Sequence, residues 1–259
     1  MANDPHPNPL PGRERGSVAT NIAAASLLAL FLLRLVAPIR EQSATFDEAV
    51  QLHSGYAALT RGDYRFDRAN PPAGRMWAAL GILPLRPALP MASTAWTTGD
   101  EWTTGQEFLY RNRAASAETL LARGRWMTAL LSAALGLLVF LWGRAWLGAW
   151  PAVGALAFYT ADPNILAHGG LVTLDMAAAA GVTLTLGRRS RWCARPAAGR
   201  AIAGGVATGL ALGVKFSAAA LGPMAFVFAL FASRRGRPSG RPWADLKVRP
   251  YERPAPATP

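Results

Sequence analysis

Two adjacent acids, Asp47 and Glu48, stand just past an apolar N-terminal run, in the stretch SATFDEAVQLHSGYAALTRGDYRFDRANPPAGRMWAALGILPL (43–85). Three further groups able to hold a proton or a charge come later: His168 in ADPNILAHGG, Asp175 in LVTLDMAAAA and Lys215 in GVATGLALGVKFSAAALG. A carboxylate can take the proton of an attacking hydroxyl, and an ammonium at a helix end suits a phosphate as a point charge. Structural roles compete with each of these. Thr45-Phe46-Asp47-Glu48 fits a capping box, with Thr45 at the N-cap and Glu48 reaching back to its N–H. Both acids then occupy a first turn, where the helix dipole favours negative charge. A cap has no need of Asp47, and at helical spacing Asp47, Gln51 and Ser54 share one polar face that can line a site. Gly62 ends that helix.

Asp175 reads as lying several residues inside an apolar span, where an ionised carboxylate facing lipid costs at least ~2.5 kcal/mol. It therefore calls for a cavity or a partner, a nearby arginine or Thr173. Lys215 also interrupts an apolar run, where its stem can snorkel instead. His168 falls in a connecting loop, and His53 reads as structural. Asn70-Pro71-Pro72 sets an extended turn before a short apolar helix, with Arg75 one helical turn on.

The elements that must position these groups are membrane helices. Of 259 residues, 51% are hydrophobic and 16% charged, against about a quarter charged in soluble domains. The apolar residues come in blocks, as in a polytopic membrane protein. A net charge of +12 raises the question of nucleic acid. The positions of the arginines exclude it as a partner. Arg188, Arg189, Arg191, Arg195 and Arg200 crowd one short segment, and Arg234, Arg235, Arg237 and Arg241 another, each beside an apolar run, as cytoplasmic anchors do. Cys193 is the sole cysteine, which removes an intramolecular disulfide and a cysteine metal cluster. The sequence holds no P-loop, HExxH, GxSxG, CxxC or Rossmann fingerprint, so simple soluble-type hydrolases, nucleotide-driven pumps and metalloproteases drop out.

Residues 1–17 are Pro-rich and polar and read as a disordered tail; 18–232 read as a membrane domain; 233–259 read as a disordered, basic, Pro-rich tail. The first span covers 18–39, with Arg34 near its far end. A signal peptide fits its length, but an uncleaved anchor suits the spans that follow. Residues 40–124 form a long first external loop with short juxtamembrane helices. Within it 76–85 is too short to cross, and WTTGDEWTTGQ (96–106) is a small duplication in a loop. Further spans are expected at 126–146, 149–160, 171–186, 202–214 and 218–232, making an all-α fold of about six. A cytoplasmic N-terminus places every dense arginine segment inside, and gathers Asp47, Glu48, His168, Asp175 and Lys215 on the outer face.

At this point the residues resemble a family. The stretch 46–85 looks like the first external loop of membrane glycosyltransferases of the C superfold, closest to glycosyltransferase family 39, the protein O-mannosyltransferase and aminoarabinose transferase group. Further ordered matches are ARGRWMTALLSAALGLLVFLWGRAWLG (122–148), DPNILAHGGLVTLDMAAA (162–179) and GVATGLALGVKFSAAAL (205–221). The resemblance implies sugar transfer from a polyprenyl-phosphate carrier to a protein, lipid or glycan acceptor, on the non-cytoplasmic face of a bacterial inner membrane. It implies Asp47 as catalytic base with Glu48 beside it, and inversion without a covalent intermediate. Lys215, Arg75 and Arg125 are then the cations for the donor phosphate, with Asp175 and His168 organising the site. No cofactor is certain, and a divalent metal is possible. Members of that family carry many more spans, so the chain reads as a truncated copy with little activity alone. The competing readings are a non-catalytic membrane fragment and a transporter using intramembrane Asp175 and Lys215.

Overall fold

The computed structural model describes residues 11–224. Its contacts divide the chain into Met1–Ala218 and Ala219–Pro259. Of the second unit, residues 219–220 end a 3₁₀ turn and 221–224 are helical. All regular structure among the described residues is helical, as expected: α1 (Pro11–Glu41), α2 (Glu48–Arg61), α3 (Ala73–Ala79), α4 (Thr94–Thr98), α5 (Glu101–Tyr110), α6 (Ala117–Leu147), α7 (Ala149–Ala161), α8 (Pro163–Gly169), α9 (Asp175–Ala194) and α10 (Ala198–Leu212). Two 3₁₀ turns, Leu80–Leu85 and Phe216–Ala220, complete the series.

Helix boundaries follow capping chemistry more closely than hydropathy. Ser116 caps α6 by accepting from Thr119 N, and Asp162 caps α8 by accepting from Asn164 N and Ile165 N, with Pro163 in the first turn. Asp100 does the same for α5, so the duplicated stretch 96–106, expected as a loop, is two short helices split at Gly99-Asp100. Gly62 closes α2 in the left-handed conformation, φ 63°, as its sequence position anticipates. The first helix begins at Pro11, so residues 11–17, expected to be irregular, are helical; residues 1–10 and the tail 233–259 lie outside the described residues.

Two helices are long and apolar enough to cross a bilayer: Val18–Glu41, 24 residues, and α6, 31 residues, each clearing the ~20 that a crossing requires. Of the six or so spans expected, these two meet that length and hydropathy among the described residues. The segments at 149–160 and 202–214 are helical but form helices of 13 and 15 residues. The span expected at 171–186 starts at Asp175 and runs on through Arg188, Arg189 and Arg191. The span expected at 218–232 lies mostly outside the described residues.

The helices α1 and α6 run antiparallel. Asn21, early in α1, accepts a hydrogen bond of 2.7 Å from Arg144 near the end of α6, while Ile39 near the end of α1 accepts from Arg125 in the first half of α6. Trp142 of α6 lies against Gly187 of α9. The seam between α9 and α10 is closed by Gly181, where an added Cβ would come 2.9 Å from Ala211 Cα.

The second helix is the hub of the region ahead of α6. Every residue from Glu48 to Ala58 is buried, and Leu52 and Tyr56 pack with Ala79, Ile82, Phe108, Leu120 and Val172 in one apolar cluster. Its polar positions are spent internally: Gln51 donates to Asp67 Oδ2 at 2.9 Å and Ser54 to Val50 O at 2.6 Å. The open polar face expected for Asp47, Gln51 and Ser54 is therefore closed beyond Asp47. Neighbouring helices approach α2 at backbone distance. A Cβ at Gly55 would sit 2.2 Å from the Arg75 carbonyl oxygen, an overlap that a rigid backbone cannot absorb.

Gly55→Ala is expected to destabilise by about 3 kcal/mol or more, the upper end for overpacking. Gly154→Ala, whose Cβ would meet nothing within 4 Å, is expected to be neutral or stabilising by up to ~1 kcal/mol. Thermal unfolding of the two variants in detergent checks the pair, and equal midpoints would contradict the packing of α2 on α3.

Candidate functional site

Glu48 and Arg125 are buried to 0% and 1% side-chain exposure and meet at 2.6 Å. Arg125 Nε donates to Glu48 Oε1 and Nη2 to Oε2, the planar two-point match of guanidinium and carboxylate. The remaining N–H groups go to the carbonyls of Ile39, Gln42 and Ser43, at 3.2, 2.8 and 2.9 Å. All five guanidinium donors are thereby used. The carboxylate is equally filled: it accepts from Thr45 N and Oγ1 at 2.9 and 3.1 Å, and from Val172 N at 2.9 Å. The back-reaching half of the anticipated capping box is present, although Thr45 is not the residue that starts the helix. Burial alone would raise the Glu48 pKa, but the bonds from Arg125, Thr45 and Val172 outweigh it and hold the carboxyl below its usual range. One ion pair thus clamps the end of α1, the start of α2, α6 and the turn before α9.

A second buried pair lies on the Asn-Pro-Pro turn. Arg75 is 2% exposed and its Nη1 donates to Asp67 Oδ2 at 2.8 Å, to Asp67 O at 2.7 Å and to Asn70 O at 3.0 Å. Asp67 holds a left-handed backbone, φ 50°. Its N–H donates to the Glu101 carboxylate, and its side chain accepts from Gln51 and Asn70. Sequence reasoning missed Asp67. The available signal was an acid between two arginines just ahead of Asn-Pro-Pro, in a residue type that tolerates the left-handed region. Arg75 and Arg125, expected to face a donor phosphate, are buried, and carboxylates of the chain itself answer their charge.

The later polar residues do converge. Asp175 is the first residue of α9, 47% exposed, and not inside a span as its apolar flanks suggested. Its Oδ1 accepts from Lys215 Nζ at 3.1 Å, and its Oδ2 lies 3.3 Å from His168 Nδ1, outside hydrogen-bond geometry. The partner is therefore Lys215, in place of an arginine or Thr173. His168 sits in the last turn of α8 and not in a loop. Lys215 and His168 are each about two-fifths exposed, so the cluster faces outward and contributes at most ~1 kcal/mol per contact to stability. The Asn-Pro-Pro turn reaches the same place: Ala73 N donates to Gly213 O at 2.9 Å, and a Cβ on Gly74 would touch Leu174 and Val214. Val172, bonded to Glu48, is three residues before Asp175 in the chain. Asp47 is exposed at the start of α2 and caps no helical N–H. Phe46 beside it stacks on Trp102, ring centres 4.3 Å apart.

His53 is fully buried and structural in its setting, enclosed by Phe66, Trp96 and Phe108 at ring distances of 4.6, 5.7 and 5.5 Å. Neither ring nitrogen has a hydrogen-bond partner. Burial pushes its pKa down to about 3, against the opposing charge of Asp63. Among the described residues no three His, Cys, Asp or Glu are arranged to hold a metal ion.

A family model described as dolichyl-phosphate-mannose-protein mannosyltransferase matches residues 119–248. The match runs from α6 through the Asp175–Lys215 cluster and past residue 232, where the apolar pattern of the sequence stops; it begins after the segment that carries Asp47 and Glu48. No curated protein and no solved structure matches the chain.

Arg125→Met strands a buried carboxylate and is expected to cost about 3–5 kcal/mol. The double variant Glu48→Leu/Arg125→Met should recover a good part of that loss in a thermal-unfolding cycle, and strict additivity would refute the coupling. His53 gives the pH dependence. Its folded pKa lies below the unfolded value of ~6.5, so the unfolded chain binds the proton first as pH falls, and stability drops from pH ~6.5 downward. Glu48, also depressed, contributes stability that is lost only as pH falls below ~4.5. Between pH 7 and 5 the wild-type midpoint should therefore fall while that of His53→Phe stays flat.

Proposed function

The chain belongs to the dolichyl-phosphate-mannose-protein mannosyltransferase family, and from that membership we propose that it moves a sugar from a polyprenyl-phosphate donor to a hydroxyl acceptor at the outer membrane surface. The observation that carries the reading is the hydrogen bond from Val172 N to Glu48. It ties the start of α2, with its exposed Asp47, to the turn that leads into Asp175 and Lys215. In this reading the uncommitted carboxylate of Asp47 and the ammonium of Lys215, held by Asp175, serve one site.

In this reading the acceptor oxygen attacks the anomeric carbon while Asp47 takes its proton. The bond from that carbon to the donor phosphate breaks, and the polyprenyl phosphate leaves with the electron pair, so the anomeric centre inverts. Lys215 exchanges part of its contact with Asp175 for the departing phosphate, as a preorganised cation at the point where negative charge grows. Asp175 and His168 hold the ammonium in place until then. Glu48 and Arg125 act at one remove, fixing the backbone on either side of Asp47, and Arg75 with Asp67 fixes the Asn-Pro-Pro turn. Orientation follows from charge: the Asp47–Asp175 end carries the acids, the opposite end carries Arg188 to Arg200, and the arginine-rich end belongs in the cytoplasm. The rival transporter reading leaned on a carboxylate deep in a span, and Asp175 stands instead at a half-exposed helix start.

Asp47→Asn should lower sugar transfer from a polyprenyl-phosphate mannose by roughly 10²–10⁴-fold with no change in thermal midpoint, because its side chain is exposed and uncommitted. Transfer at the wild-type rate would sink the assignment of Asp47. Cys193, exposed beside the arginines, tests orientation: a membrane-impermeant maleimide should label it in inverted vesicles and not in intact cells. Labelling from outside would reverse the topology.

A further inference from the structure

The end of the bundle opposite Asp47 has a construction of its own. Gly187 of α9 has no side chain, and the edge of the Trp142 ring fills the space; a Cβ there would lie 1.8 Å from that ring. Trp146, one turn on, stacks on Trp142 at 5.9 Å with the planes 24° apart, and stays 51% exposed. Trp150, at the start of α7, is exposed as well. The notch between α6 and α9 therefore ends in a shelf of indole rings.

Cations flank this shelf without answering acids. Arg191 lies one helical turn beyond Gly187 on the same face, and Arg188 adjoins it. The sequence from Met176 to Ala244 contains no Asp or Glu, while 188–200 contains five arginines. Arg200 turns its guanidinium back onto the Arg195 carbonyl. Arg188 and Arg191 have no hydrogen-bond or ion-pair partner among the described residues. The helix that carries them has no acid after its first residue.

We infer that this face is a headgroup site for an anionic phospholipid: Arg188 and Arg191 take the phosphate, and the Trp142–Trp146 shelf takes the glycerol and the first carbons of the acyl chains. Guanidinium matches a phosphodiester in two-point geometry, indole rings favour the level of the headgroups, and basic clusters beside apolar helices select anionic lipid. Zwitterionic headgroups bring their own cation and gain little. The inference is independent of the role given to Asp47.

The test uses the full chain in detergent with an environment-sensitive fluorophore on Cys193, its only cysteine. Dioctanoyl phosphatidylglycerol should give a saturable signal, and dioctanoyl phosphatidylcholine and inorganic phosphate none. Arg188→Gln/Arg191→Gln should weaken binding about tenfold or more, Arg188→Lys/Arg191→Lys much less, and Gly187→Ala should weaken it by displacing Trp142. Thermal midpoints confirm that each variant is folded. An equal response to both lipids overturns headgroup selection, and an equal response to inorganic phosphate overturns a lipid ligand. Unchanged binding by the folded Gln double variant overturns the site itself, leaving the tail arginines as the source of attraction.

Discussion

The pairing of Glu48 with Arg125 is the constraint on which the remaining geometry rests. Two ions removed from water are costly, and only a geometry that satisfies every donor and acceptor makes them tolerable. Here the five N–H groups of Arg125 all find oxygen, and Glu48 meets backbone N–H groups from both sides of the sequence. The satisfied network specifies register: α1 must end, α2 must begin and the turn before α9 must close at one level along α6. Asp47 gains a defined place because its neighbour is immobilised. The catalytic candidate is free because the residue beside it is not.

The second buried pair repeats the logic in part, with Arg75 Nε left without a hydrogen-bond partner. Arg75 draws Asp67 and the Asn-Pro-Pro turn against α2, and Gly55 lets the α3 backbone come close enough for this to happen. Both pairs use arginine as an internal strut that gathers loop carbonyls. Arg75 and Arg125 are the fully buried arginines among the described residues, while Lys215 beside Asp175 and the arginines of α9 stay at the surface.

Much of this was legible in the sequence. The all-helical class followed from blocks of apolar residues, the end of α2 from Gly62, and the gathering of His168, Asp175 and Lys215 from the sidedness of charge. The helix starts were not. Hydropathy marks where a chain is greasy, while the starts of α6, α8 and α9 are set by Ser116, by Asp162 with Pro163, and by the turn that Glu48 holds at Val172. Asp175 moved from the interior of a supposed span to its first residue for that reason. Arg75 and Arg125 were assigned to a phosphate because a sequence displays charge and hides whether its donors are already engaged. Asp67 was missed because its importance lies in a backbone conformation, φ 50°, that no residue pattern announces.

The clamp also has a consequence for how the chain is made. Glu48 precedes its ionic partner by 77 residues and its Val172 partner by 124, so at synthesis the first helix emerges long before anything can neutralise the carboxylate that follows it. Contacts of such separation form late, since the loop between them must close first. Until α6 arrives, Glu48 belongs in water; until Glu48 arrives, Arg125 is a bare cation within an apolar helix. Burying either charge alone is costly, so the close packing of the end of α1 and the start of α2 against α6 depends on both residues being in place.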